Sequence, residues 1–176
     1  YVIEYYGGEC KLKDGRVVSM ENQNFRELTQ DQLEDNVSFA SIDVSFVSAT
    51  YMFENLSKLL DDHGQVVCLI KPQFEVGPKK VGKNGCVNPK YHQEAIEKVI
   101  KSALENGEIV IVSISNGNIY KGDGHFIVIR GLTDDGKFLI NDSAKYFDLD
   151  TGYEYSDLKP VCSARSFYIE DTVAFN

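Results

Sequence analysis

The sequence predicts an α/β fold in which a parallel βαβ front part continues into antiparallel β structure. Three observations carry that expectation. Apolar runs at 38–43 (SFASID) and 65–71 (QVVCLIK) bracket a stretch with helical spacing. A strongly marked second helix follows at 89–105, and behind it come three short apolar runs joined by turn residues. Strand, helix, strand in succession implies a parallel pair with a right-handed crossover, whereas runs joined by tight turns imply antiparallel neighbours.

The elements can be justified in chain order. Residues 1–5 (YVIEY) and 16–20 (RVVSM) have strand composition, as does 38–43. Over 49–61, Met52, Phe53, Leu56, Leu59 and Leu60 fall on one helical face, and His63-Gly64 is the expected stop, with glycine as a left-handed cap. Asn88 is placed to cap the second helix, Pro89 suits its first turn, and Gly107 ends it. Ile96, Val99, Ile100, Ala103 and Leu104 form its buried stripe. The runs 108–114 (EIVIVSI), 124–131 (GHFIVIRG) and 137–141 (KFLIN) are the back strands, with TDDG (133–136) as a hairpin turn. The front part therefore has a Rossmann-like character.

Length and composition narrow the possibilities. A chain of 176 residues with 43% hydrophobic and 26% charged residues can bury a real core, and it has no apolar run long enough to span a membrane. Cys10, Cys68, Cys86 and Cys162 lack CxxC or zinc spacing, so no metal site is expected and the setting reads as reducing and cytoplasmic. The net charge of −9 disfavours indiscriminate binding to nucleic acid, and no DNA partner is expected. Residues 71–90 run against that balance, with Lys71, Lys79, Lys80, Lys83 and Lys90 against Glu75 alone.

The basic segment opens on Lys71, where an apolar strand stops against Pro72. If 38–43 and 65–71 are parallel neighbours, Asp43 and Lys71 share their carboxyl rim, where open α/β sheets bind ligands. Proline holds Lys71 extended. A lysine paired with an aspartate at a partly desolvated rim is either a structural ion pair or the setting from which a lysine acts as a base. The stretch SIDVSFVSATYMFENLSKLL with VVCLIKPQFEVGPKKVGKNGCV resembles the hemolysin-A-like (TlyA) family of S-adenosylmethionine-dependent ribosomal RNA 2′-O-methyltransferases. The resemblance covers roughly 16–100. It implies that Asp43 and Lys71 belong to a Lys-Asp-Lys-Glu catalytic set, with Lys71 deprotonating the ribose hydroxyl and Asp43 orienting it. It further implies Glu4, Asn24 and Asp43 as cofactor contacts, S-adenosylmethionine as cofactor, and RNA as partner through Lys79, Lys80 and Lys83. Tyr120, in GNIY, stands where the family has its final glutamate. The family's glycine-rich cofactor loop and first lysine would lie upstream of the sequence, so a fragment or chimera with weak cofactor binding is expected.

A second constellation lies in the back part. With Thr133 and Gly136 flanking the hairpin turn, His125 falls opposite Ala144, and Asp142 lies two residues off on the same face. A histidine oriented by an aspartate is the base half of a nucleophilic site, or simply a hairpin histidine. The segment 102–170, with GDGHFIVIRGLTDDGKFLINDS, resembles the C-terminal half of papain-like peptidases of the bacteriocin-processing type. That resemblance implies His125 and Asp142 as an alternative catalytic pair, without a convincing cysteine nucleophile. The expected division is a methyltransferase-like segment over 1–105 and a peptidase-like segment over 106–176, packed as one unit. The leading functional expectation is an incomplete RNA methyltransferase. A papain-like domain lacking its nucleophile and a catalytically silent binding module are the alternatives.

Overall fold

In a computed structural model of the chain, residues 2–4, 17–115, 117–122, 124–158 and 167–170 are described. Two short strands, β1 (Val2–Glu4) and β2 (Ser19–Glu21), pair in parallel as a small sheet. Next come β3 (Val37–Ile42), α1 (Thr50–Leu59) and β4 (Leu60–Cys68), the expected βαβ unit, with Ile42 opposite Cys68 in a parallel ladder. The single helical turn α2 (Pro72–Glu75) and the longer α3 (His92–Glu105) lead to β5 (Ile109–Ile114), β6 (His125–Leu132) and β7 (Phe138–Asn141). A short α4 (Tyr155–Leu158) precedes β8 (Phe167–Glu170).

The main sheet has the order β3-β4-β8-β5-β6-β7. Among the described residues its one parallel pair is β3 with β4, and the other paired neighbours are antiparallel. Strand β8 inserts between β4 and β5, so segments 1–105 and 106–176 contribute to one continuous sheet. Helices α1 and α3 bury Met52, Phe53, Leu56, Ile96, Val99 and Ile100 in the same core as Ile42, Val66, Val112, Ile127 and Ile140. Among the described residues, no helix is long and apolar enough to cross a membrane.

Three local expectations are corrected. Helix α1 ends at Leu59, and Leu60 already has extended backbone. Residues 61–64 bulge out between paired positions, because Val37 faces Leu60 while Phe39 faces Gln65. Gly64 is therefore not a left-handed cap; it lies where a Cβ would meet the Leu60 side chain at 2.8 Å. Strand β4 stops at Cys68, and Lys71 lies beyond it as the residue before α2. In the hairpin, Thr133 pairs with Lys137 rather than Gly136, and Gly136 takes a φ of +79° inside the turn. An irregularity between Ile129 and Gly131 restores the expected register, with Ile129 opposite Ile140. The second helix begins as expected: Asn88 Oδ1 accepts from the Lys90 amide at 3.1 Å, and Pro89 opens a 3-10 turn that runs into α3.

Candidate active site

The ladder between β3 and β4 continues one step past the strands, where the Leu69 amide donates to the Ile42 carbonyl at 2.9 Å. The two chains thus leave the sheet side by side, delivering Asp43 and Lys71 to the same rim. Lys71 has extended backbone (φ −109°, ψ 98°), and Pro72 occupies the first position of α2. Lys71 Nζ lies 2.6 Å from Asp43 Oδ1 and donates to Ser45 Oγ at 2.9 Å. The lysine side chain is 23% exposed and the aspartate 68%, so the pair sits at a surface with its cation the more shielded partner. A structural ion pair has this geometry, and so does a base held ready at a ligand-binding edge.

Two further features surround the pair. Phe46 adopts φ +64° and is 87% exposed, with its ring 5.3 Å from that of Phe74. A bulky residue in left-handed backbone with its ring in solvent is disfavoured twice, and such strain concentrates where side chains act on ligands. The second feature is Glu75, the lone acid of the basic segment. Its buried carboxylate accepts from Ser48 Oγ, from the Ala49 amide at 2.7 Å and from Lys98 Nζ at 3.1 Å. Glu75 therefore caps α1 and joins the loop carrying Asp43, Ser45 and Phe46 to the turn carrying Lys71. Its being the only acid among five lysines was the available signal, but nothing in the spacing reveals its partners.

The other expected site residues are less gathered. Glu4 closes β1 opposite Glu21. Asn24 is spent locally: its Oδ1 accepts from the Arg26 amide at 3.2 Å, and its Nδ2 donates to Glu27 at 2.8 Å. Lys80 is paired with Glu94 and lies over the Tyr91 ring at 5.1 Å, while Lys79 and Lys83 are exposed and unpaired among the described residues. Cys68 is buried, and burial with the nearby Glu75 carboxylate pushes its thiol up to about 12. Cys10 and Cys162 lie outside the described residues. No cluster of metal-ligating side chains occurs among the described residues.

His125 and Asp142 do meet, with Nε2 2.6 Å from Oδ1. The same carboxylate accepts from the amides of Ala144 at 2.9 Å and Tyr146 at 2.8 Å. Burial alone would raise the Asp142 carboxyl, but the hydrogen bonds from His125 and those two amides outweigh it and hold it below the usual range. The ring neighbours of His125 are Tyr120 at 5.1 Å and Tyr146 at 5.7 Å.

Comparison with known proteins decides between the two resemblances. The profile of the FtsJ-like methyltransferases matches residues 3–131, most of the chain and both loops of the Asp43–Lys71 rim. The chain belongs to the FtsJ-like methyltransferase family. This FtsJ-like chain is 39% identical over 115 residues to YqxC of Bacillus subtilis, whose name places it among rRNA methyltransferases, covering 64% of the chain and 41% of YqxC. It is 35% identical over 95 residues to the 16S/23S rRNA (cytidine-2'-O)-methyltransferase TlyA of Mycobacterium tuberculosis, covering 53% of the chain and 35% of TlyA. A solved structure from Streptococcus thermophilus, described as a hemolysin, superposes with a TM-score of 0.56 at 28% identity, covering 92% of this chain and 45% of that one. The FtsJ-like chain thus spans about two fifths or less of the length of the two curated relatives. The papain-like resemblance of 102–170 finds no support in these matches, and the methyltransferase profile runs through His125 itself.

Proposed function

We propose that the chain is the RNA-modifying part of a ribosomal RNA ribose 2′-O-methyltransferase, with Lys71 as base and Asp43 as its partner. The observation that carries this is the 2.6 Å Asp43–Lys71 contact at the carboxyl rim of two parallel strands. Lys71, in its neutral form, accepts the proton of a ribose 2′-hydroxyl at Nζ. Asp43 then lies in hydrogen-bond contact with the ammonium so formed, and Ser45 Oγ fixes its direction. The exposed Phe46 ring offers a stacking face for the base of the same nucleotide. Lys79 and Lys83 are free to meet phosphates, whereas Lys80 is committed to Glu94.

The implied cofactor, S-adenosylmethionine, supplies an electrophilic methyl group when bound. The described residues fit it only in part. Asp43 is an exposed carboxylate able to accept from a cationic or hydroxyl group, and Glu4 ends a parallel strand. The start of α1 provides no free cradle, because the Ala49 amide is taken by Glu75 and the Thr50 amide by Ser48 Oγ. Binding weaker than about 1 μM is therefore expected by calorimetry, corresponding to less than about 8 kcal/mol. The shared sheet supports treating 1–105 and 106–176 as one working unit rather than as two domains.

The test is transfer of labelled methyl groups from saturating S-adenosylmethionine to ribosomal RNA, with nucleoside analysis of the product. Label should appear on ribose 2′-oxygen and fall at least about 100-fold in Lys71→Met, the scale of a lost general base. Label on a base, transfer indifferent to Lys71→Met, or no transfer by the unaltered chain would overturn the reading.

A further inference from the structure

The strand directions place a second group of side chains on the rim that carries Lys71. Strands β4 and β5 are each antiparallel to β8, so they run the same way. Strand β6 runs back, and β7 forward again. The start of β6 at His125 and the residue after β7, Asp142, therefore lie at the same sheet edge as Asp43 and Lys71. Three inter-strand steps separate β4 from β6, which is about 14 Å at the usual strand spacing.

At that position the chain builds an aromatic cluster. The rings of Tyr120 and Tyr146 are 5.1 Å apart and edge-on, and each packs against His125. Tyr120 is anchored by its hydroxyl, which donates to the Gly124 carbonyl at 3.0 Å, and a side chain at Gly122 would collide with its ring. The Asp142 carboxylate is shielded from solvent and holds both His125 and the Tyr146 amide, with Lys145 in left-handed backbone between them at φ +61°. Tyr146 is thus a preorganised ring that remains 53% exposed. Among the described residues, only one nitrogen of His125 has a hydrogen-bond partner, so the ring keeps one polar atom for a ligand.

We propose that Tyr146, backed by His125, Asp142 and Tyr120, is a second RNA subsite, stacking a nucleobase a few positions along the strand from the nucleotide presented to Lys71. This rests on the RNA reading above and adds to it a contact in the part of the chain beyond Lys71. A held, half-exposed aromatic ring is the chemistry of single-strand recognition, which tolerates any base because every base has a π-face. The subsite works by stacking rather than by charge. Its loss should therefore weaken binding without altering the salt dependence, whereas losing a phosphate contact lowers that slope.

The experiment is fluorescence anisotropy with a labelled single-stranded RNA of about 12 nucleotides, a length within known single-strand site sizes, titrated at several salt concentrations. Tyr146→Ala should weaken binding by about 5- to 150-fold, as expected for one lost stack, with the salt slope unchanged. Tyr146→Phe should bind like the unaltered chain. Circular dichroism of Tyr146→Ala should stay native, since the ring is half in solvent. The proposal is overturned if Tyr146→Ala binds like the unaltered chain, if Tyr146→Phe is as weak as Tyr146→Ala, or if the salt slope falls in Tyr146→Ala. Weakening by Lys79→Ala/Lys83→Ala or Phe46→Ala, with Tyr146→Ala unaffected, would remove this subsite and leave the RNA reading standing. No binding by the unaltered chain would remove both.

Discussion

Replacing Glu75 by alanine tests whether one buried carboxylate holds the two site loops together. The side chain makes three contacts, to Ser48 Oγ, the Ala49 amide and Lys98 Nζ, and they differ in worth. The Ala49 amide loses its partner at the start of α1, an unsatisfied buried donor that costs about 1–3 kcal/mol. Ser48 Oγ loses less, because Thr50 Oγ1 stays 2.7 Å away as an alternative partner. Lys98 is 44% exposed and can turn to water, so its ion pair is worth at most about 1 kcal/mol. Together these predict a destabilisation of about 2–4 kcal/mol in Glu75→Ala. Glu75→Gln, which keeps an oxygen for the Ala49 amide, should lose about half as much. Urea unfolding followed by circular dichroism reads both values. A Glu75→Ala loss under about 0.5 kcal/mol would refute the view that the carboxylate clamps the loops.

Two further outcomes follow from the titrating groups. Asp142 is held below its unfolded value of about 3.9, so its contribution is complete above that pH and fades as pH falls through the lower folded value. Asp142→Asn should therefore flatten the loss of stability with falling pH below about 4, measured by urea unfolding at stepped pH; an unchanged slope would contradict the assignment. The Cys68 thiol, pushed up to about 12 in a buried strand, should resist iodoacetamide at neutral pH, while exposed Cys86 reacts; peptide mapping showing Cys68 alkylated without denaturant would contradict its burial.

The local periods of the sequence determined the βαβ unit, the α3 helix and the back hairpin. Those signals arise from burial on one face of each element, which neighbouring residues record on their own. The Asp43–Lys71 contact was legible for the same reason, because parallel neighbours joined by a short helix must deliver their carboxyl ends to one rim. The His125–Asp142 contact was legible through the hairpin, although the register was one residue off at the turn and was restored by the irregularity near Gly131. Long-range pairing decided the rest. Strand β8 enters between β4 and β5 from the far end of the chain, and no periodicity within it names its neighbours. That insertion adds one of the three strand steps that separate the two site groups along their shared rim. Likewise, the burial of Glu75 against Ser48, Ala49 and Lys98, and the left-handed backbone of Phe46, arise where separate loops are forced together. A carboxylate in sequence carries no mark of the groups that fold around it, and only the tertiary structure supplies them.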